Sequence, residues 1–171
     1  KKKLQSFKIP QEISSLFRHR FSHLDAESLD LLKIFALSGR PMSREILEKI
    51  TSSSSEILID RLNILKKSGY IGEDFSKQGW FYLIHTSLNE IIENILEKNE
   101  KNIFHQKIAS GLLSCCQSAS IPHGEIGMHF FKGGNKENAL PHLLESAKQS
   151  ALAYSHHKAL QYYQICMDLI S

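Results

Sequence analysis

Apolar residues recur at intervals of three and four along nearly the whole chain, and only residues 70–84 break that rhythm. Such spacing puts the apolar side chains on one face of an α-helix, so the chain must fold by burying helix faces against one another. With 171 residues, 42% of them hydrophobic, there is enough apolar surface to build a real core.

The first helix is expected over 11–23, after Pro10, with Ile13, Leu16, Phe17 and Phe21 on one side. Asp25 then opens a second helix, 26–38, whose central run LDLLKIFAL is apolar nearly all round. A helix of that kind is buried on most sides, which makes it the hub of the first unit, and Gly39-Arg40-Pro41 stops it. Ser43 can cap a short helix carrying Ile46, Leu47 and Ile50. Ser53 and Glu56 have capping-box spacing ahead of Ile57, Leu58, Leu62 and Leu65, and Gly69 closes that helix. Residues 70–71 and 80–84 are aromatic and β-branched about the polar loop EDFSKQG, which reads as a hairpin. Three helices followed by a hairpin is the order of a winged helix. So small a hairpin must lean on the helices beside it.

Ser87 and Glu90 repeat the capping-box spacing, and Leu88, Ile91, Ile92, Ile95 and Leu96 form the inward face of the next helix. Another helix is expected over 102–117, with Phe104, Ile108, Leu112 and Cys115 inward, ending in a Ser-rich break before Pro122. Gly127, Gly134 and Ala139 then fit the small-residue positions of a tetratricopeptide-type hairpin, where helices cross too closely for larger side chains. Gly133-Gly134-Asn135 fits the bend, and Pro141 fits the first turn of the second helix. Ala147 and Ala159 repeat the 12-residue interval between Gly127 and Ala139. Full self-similarity at about 34 residues is absent. The predicted fold is therefore mainly α in two parts. Residues 4–98 form a winged-helix unit with one short β-hairpin, and 99–171 form an arm of tetratricopeptide-like helical hairpins.

Charge excludes more than it suggests. Lys and Arg number 21 against 18 Asp and Glu, a net charge of +3, and the one concentrated run is Lys1-Lys2-Lys3. No apolar stretch approaches the roughly 20 residues that span a bilayer, and the basic start leads into polar sequence. No membrane association and a cytoplasmic location are expected. Three cysteines, Cys115 and Cys116 adjacent and Cys166 on an apolar helix face, make no disulfide framework and are expected to be reduced. The chain opens without Met in linker-like sequence, which suggests a piece of something longer.

No G-x-x-x-x-G-K-[ST], G-x-G-x-x-G, H-E-x-x-H or nucleophile elbow occurs, so no enzymatic activity is expected. Nine histidines raise the question of a metal, with His123, His129 and His142 or the pair His156 and His157 as candidates. His123 and His129 are six residues apart, a spacing that one helix cannot present to one ion, and the cysteines lack C-x-x-C. Surface or packing roles, and no metal, are expected for these histidines.

A winged helix can read DNA by setting its recognition helix, here 56–68, in the major groove. Glu56 and Asp60 lead that helix, Lys66 and Lys67 come at its far end, and the hairpin loop sets Glu73 and Asp74 against Lys77. Charge so placed opposes phosphate where contact would be made. A DNA-binding transcription regulator is thus the alternative reading, and a winged helix used for packing is preferred.

Four strings carry a resemblance: IPQEISSLFRHRFSHLDAESLDLLKIFALSGRPMS, FYLIHTSLNEIIENIL, IFHQKIASGLL, and EIGMHFFKGGNKENALPHLLESAKQSALAYSHHKALQYYQICMDLI. Over nearly its whole length the chain resembles the region that follows the nucleotide-binding domain in signal-transducing STAND-class ATPases. The resemblance implies a non-catalytic region that couples the nucleotide state of an upstream P-loop domain to a helical arm. Bacterial relatives place this assembly beside kinase, cyclase or transcription-regulator domains. It implies two partners, the upstream domain and a protein held by the arm, and no cofactor in this chain, with ATP or ADP on the upstream domain. One site residue carries over: His85, in YLIHTSL, matches the histidine that contacts the phosphate side of ADP. Members of the immune type often have an acidic residue next, where this chain has Thr86. A helix start is in any case favourable for phosphate.

Overall fold

A computed structural model describes residues 19–116 and 121–170, and in it the chain is mainly α-helical with one small antiparallel sheet. The predicted helix 11–23 lies mostly outside the described residues. Asp25 opens helix α1, Ala26–Ser38, by accepting a hydrogen bond from the Ser28 amide at 2.9 Å. Gly39 ends it in the left-handed region, φ +66°, with its N–H on the Phe35 carbonyl. Between these caps Leu31, Leu32, Ile34, Phe35, Ala36 and Leu37 are all buried, so α1 is the hub that its all-round apolar run predicts.

Ser43 does two things. It ends strand β1, Met42–Ser43, and its hydroxyl accepts from the Ile46 amide to cap helix α2, Arg44–Thr51. Helix α3 spans Ser55–Lys67, and strands β2, Ile71–Glu73, and β3, Trp80–Leu83, form the predicted hairpin. The sheet order is β1-β3-β2, with Met42 opposite Phe81 on one side and Ile71 opposite Leu83 on the other. The third strand was not predicted. Two residues cannot show an alternation, and Met42–Ser43 is a strand only because β3 pairs with it. Helix α4 spans Ser87–Ile95, α5 Lys98–Cys115, α6 His123–Lys132, α7 Lys136–Leu152 and α8 His156–Ile170. No helix among the described residues is long and apolar enough to cross a membrane.

Several local expectations are corrected. Neither predicted capping box forms. The α3 N-cap is Ser54, not Ser53, and it makes no side-chain bond. Ser52, in the left-handed region at φ 54°, ends α2, and α3 starts at Ser55. Ahead of α4, the predicted cap Ser87 is already the first residue of the helix, and Thr86 before it is also in helical conformation, φ −63° and ψ −24°, whereas a cap residue is extended. Helix α5 starts at Lys98, four residues early, where Lys33 of α1 bonds to Glu100 at 2.7 Å. Cys115, expected to face inward, is only half-buried. Pro141 falls in the second turn of α7, not the first. Gly134 is a turn residue at φ +75°, and a Cβ there would meet only Asn102 Nδ2 at an ordinary 3.8 Å, so its role is conformational and not close packing.

The other small positions do pack. A Cβ at Gly127 would lie 2.9 Å from Cγ of Leu143, and Ala139 and Ala147 are fully buried. One buried cluster runs from Phe21 through α1–α5 to Leu143 and Cys166, so the core is continuous across the predicted boundary at 98. Helix α5 is the common element, packed on α1 and α2 on one side and on α6 on the other.

Candidate functional site

His85 stands in the short connection between β3 and α4. The Ile84 amide donates to the Tyr70 carbonyl at 3.0 Å, which holds the chain to the start of β2 before it turns into the helix. His85, Thr86 and Ser87 are all exposed. An open helix start would offer several amides to an anion, but here Leu88 N–H donates to the His85 carbonyl and Asn89 N–H to the Thr86 carbonyl. Two donors are thereby turned inward. The residues fit one imidazole contact to a phosphate held by a neighbour, and they do not fit a complete nucleotide site.

Beside this corner lies a cleft of about 260 Å³, lined by residues that include Phe35, Arg40, Tyr82, Thr86 and Asn89. Asn89 Oδ1 is buried and has no hydrogen-bond partner among the described residues. Arg40, on its other wall, is ion-paired with Glu125 of α6.

The candidate recognition helix, now α3, spends two of its three cations locally. Arg61 reaches Asp25 at 2.9 Å and Glu27 at 2.6 Å, and Lys66 pairs with Glu73 of the hairpin.

The histidines are arranged in a way the sequence reading missed. His129 does not approach His123 or His142. It faces His105 of α5, Nδ1 to Nδ1 at 2.9 Å, in a buried contact. His123 and His142 face each other in the same manner at 2.9 Å, partly buried, between α6 and α7. His105 had not been singled out, although its place three residues before Ile108 and seven before Leu112 sets it on the inward stripe of α5. Ring centroids lie 5.1 and 5.0 Å apart, so each pair points its nitrogens almost head-on. An ion would need both lone pairs to converge on a point about 2.0–2.1 Å from each nitrogen. Head-on rings share a hydrogen instead. No group of three or more metal-binding side chains occurs among the described residues.

Burial sets the protonation of these rings. It holds His105 down to about 4, helped by the charges of Lys132 and Lys101. Burial holds His129 down to about 3, with His105, Lys132 and Arg40 adding to the effect. His142 is lowered by burial and by His123. Burial raises the thiols of Cys115, Cys116 and Cys166, which keeps them protonated and poor nucleophiles.

Comparison with protein-family models, curated proteins and solved structures gives no match to this chain.

Proposed function

We propose that this chain is the non-catalytic regulatory and protein-interaction region of a cytoplasmic STAND-type signalling ATPase. Its first part is a winged-helix unit that meets an upstream nucleotide-binding domain, and its second is a tetratricopeptide-like arm that meets a protein partner. The observation that carries this reading is the position of His85. It is exposed at the junction between the last strand and the next helix, in a unit ordered helix, strand, helix, helix, strand, strand. An imidazole so placed can donate a charge-assisted hydrogen bond to a nucleotide phosphate held on a neighbouring domain. The continuous core supports coupling, because α5 packs on α2 and on α6 and so ties a shift of the first unit to the arm.

The test uses the longer protein. The residues upstream of Lys1 should contain a phosphate-binding loop, and saturating ADP should slow hydrogen exchange around residues 85–95. A longer protein without that loop, or with exchange there indifferent to ADP, would overturn the proposal.

The second reading is a DNA-binding regulator, favoured only by the element order. Against it, α3 exposes Ile57 and Ile59 while Arg61 and Lys66 are paired with carboxylates. A gel shift with nonspecific duplex at low and high salt separates the two readings, since phosphate contacts give steep salt dependence.

A further inference from the structure

Helices α5 and α6 meet through a polar key set inside an apolar seam. At its edges Gln106 Nε2 donates to the Gly133 carbonyl at 2.6 Å. Asn102, with its amide nitrogen turned toward α6, donates to the Lys132 carbonyl at 3.1 Å. At its centre are His105 and His129, 5% and 6% exposed, with Nδ1 facing Nδ1. Ile108 and Phe130, apolar residues close to the pair along their own helices, are 0% and 5% exposed.

Facing nitrogens 2.9 Å apart accept one hydrogen between them. One ring must carry Nδ1–H and the other must present a bare Nδ1, so the closed seam holds at most one charged imidazole, and burial keeps both rings neutral near pH 7. A first added proton can go to the outer nitrogen of the donor ring without breaking the bond, but it leaves a cation in the core. A second proton sets two N–H groups head to head. The charges that shift the pair are cationic and make both steps worse. Lys101 comes from α5 and Lys132 from α6, and Arg40 comes from the loop after α1 with its own carboxylate partner in Glu125.

We propose that the α5–α6 joint is an acid-opened hinge, in which protonation of the His105–His129 pair releases α6–α8 from the rest of the chain. The sign follows from the direction of the shifts. Rings held below their ordinary value stabilise the closed joint fully above that value, 6.5, and the contribution is lost as pH falls from there toward about 4 for His105 and about 3 for His129. The placement makes the effect local, because the pair lies at one helix interface and α1 is sealed by its own apolar contacts. The partly buried pair His123 and His142 sits at the next interface, α6 on α7.

The experiment is hydrogen exchange on the whole chain at pH 7 and pH 5, corrected for the intrinsic pH dependence of exchange. In the parent, protection at 102–109 and 126–133 should fall by about tenfold or more while α1 keeps its protection. In the double variant His105→Asn, His129→Asn, which keeps a polar contact but cannot titrate, the pH step should vanish. The step should survive His123→Asn. Loss of protection in α1 together with the seam, or an equal step in the double variant, would overturn the proposal. Nitrogen-15 spectra of the parent histidines keep it testable should the double variant not fold. Two neutral rings with one Nδ1–H are expected at pH 7, and two rings that charge near pH 6.5 in a seam that stays protected would overturn it.

Discussion

Gly111 of α5 presses its bare backbone against Ile50 of α2: a Cβ there would lie 2.3 Å from Cγ1 of Ile50 and 2.9 Å from its Cα. The contact joins the first unit to the helix that carries the arm. Because one of the colliding atoms belongs to the backbone of α2, rotating the Ile50 side chain cannot relieve it. Gly111→Ala should therefore lower stability by about 1–3 kcal/mol, since overpacking outweighs the gain of up to about 1 kcal/mol in helix propensity. Thermal melting of the variant against the parent checks this. An unchanged or higher midpoint would show that α5 can back away from α2 without loss.

Leu32 and Phe35 stand at the centre of the hub, 0% and 1% exposed. Truncating either to Ala removes apolar contact and leaves a hole that neighbours on all sides cannot fill together. The expected loss is about 2–5 kcal/mol for each, read from chemical denaturation. A loss below that range would move the hub elsewhere.

Ala139 is fully buried where α7 crosses α6. Ala139→Leu forces four heavy-atom positions into one, and a cost of about 1–3 kcal/mol is expected. The damage should show in the melting of α6–α8. A neutral result would mean that the crossing lies at another residue.

Asp25 caps α1 and also bonds to Arg61 of α3. The Ser28 amide bonded to its carboxylate holds Asp25 below its usual 3.8, against a smaller opposing effect of burial. Its contribution is therefore present above that value and is lost as pH falls through the lower, folded one. Asp25→Ala should cost about 0.5–2 kcal/mol near neutrality. The gap between variant and parent, measured by denaturation across pH, should narrow in acid. A gap that stays constant would assign the loss to packing.

His85 is exposed and its removal leaves no hole. His85→Ala should melt with the parent. In the longer protein proposed above it should weaken ADP binding by tenfold or more, as the loss of a hydrogen bond to a charged group of about 1.5–3 kcal/mol implies. Titration calorimetry measures the second effect and a melting curve the first. Unchanged ADP affinity would leave His85 as a junction residue.

The sequence by itself determined the parts of this protein whose causes are local. Asp25 and Gly39 bracket α1 because a carboxylate three residues from an amide and a glycine free to adopt positive φ act within one turn of chain. The all-round run between them forces burial, and the small residues Gly127, Ala139, Ala147 and Ala159 mark close crossings wherever the helices fall. The Ser53 and Ser87 boxes failed because spacing alone does not fix the dihedral angles of the residue before a helix. Only the tertiary structure decided the rest. Met42–Ser43 became a strand when β3 came alongside. Gly111 became a contact point when α5 settled on α2. His105 met His129 across 24 residues, and His123 met His142 across 19. None of these separations is a helical or strand period. Such pairings follow from how two helices cross, and that geometry is set by the packing of both faces at once, so a one-dimensional spacing cannot reveal it.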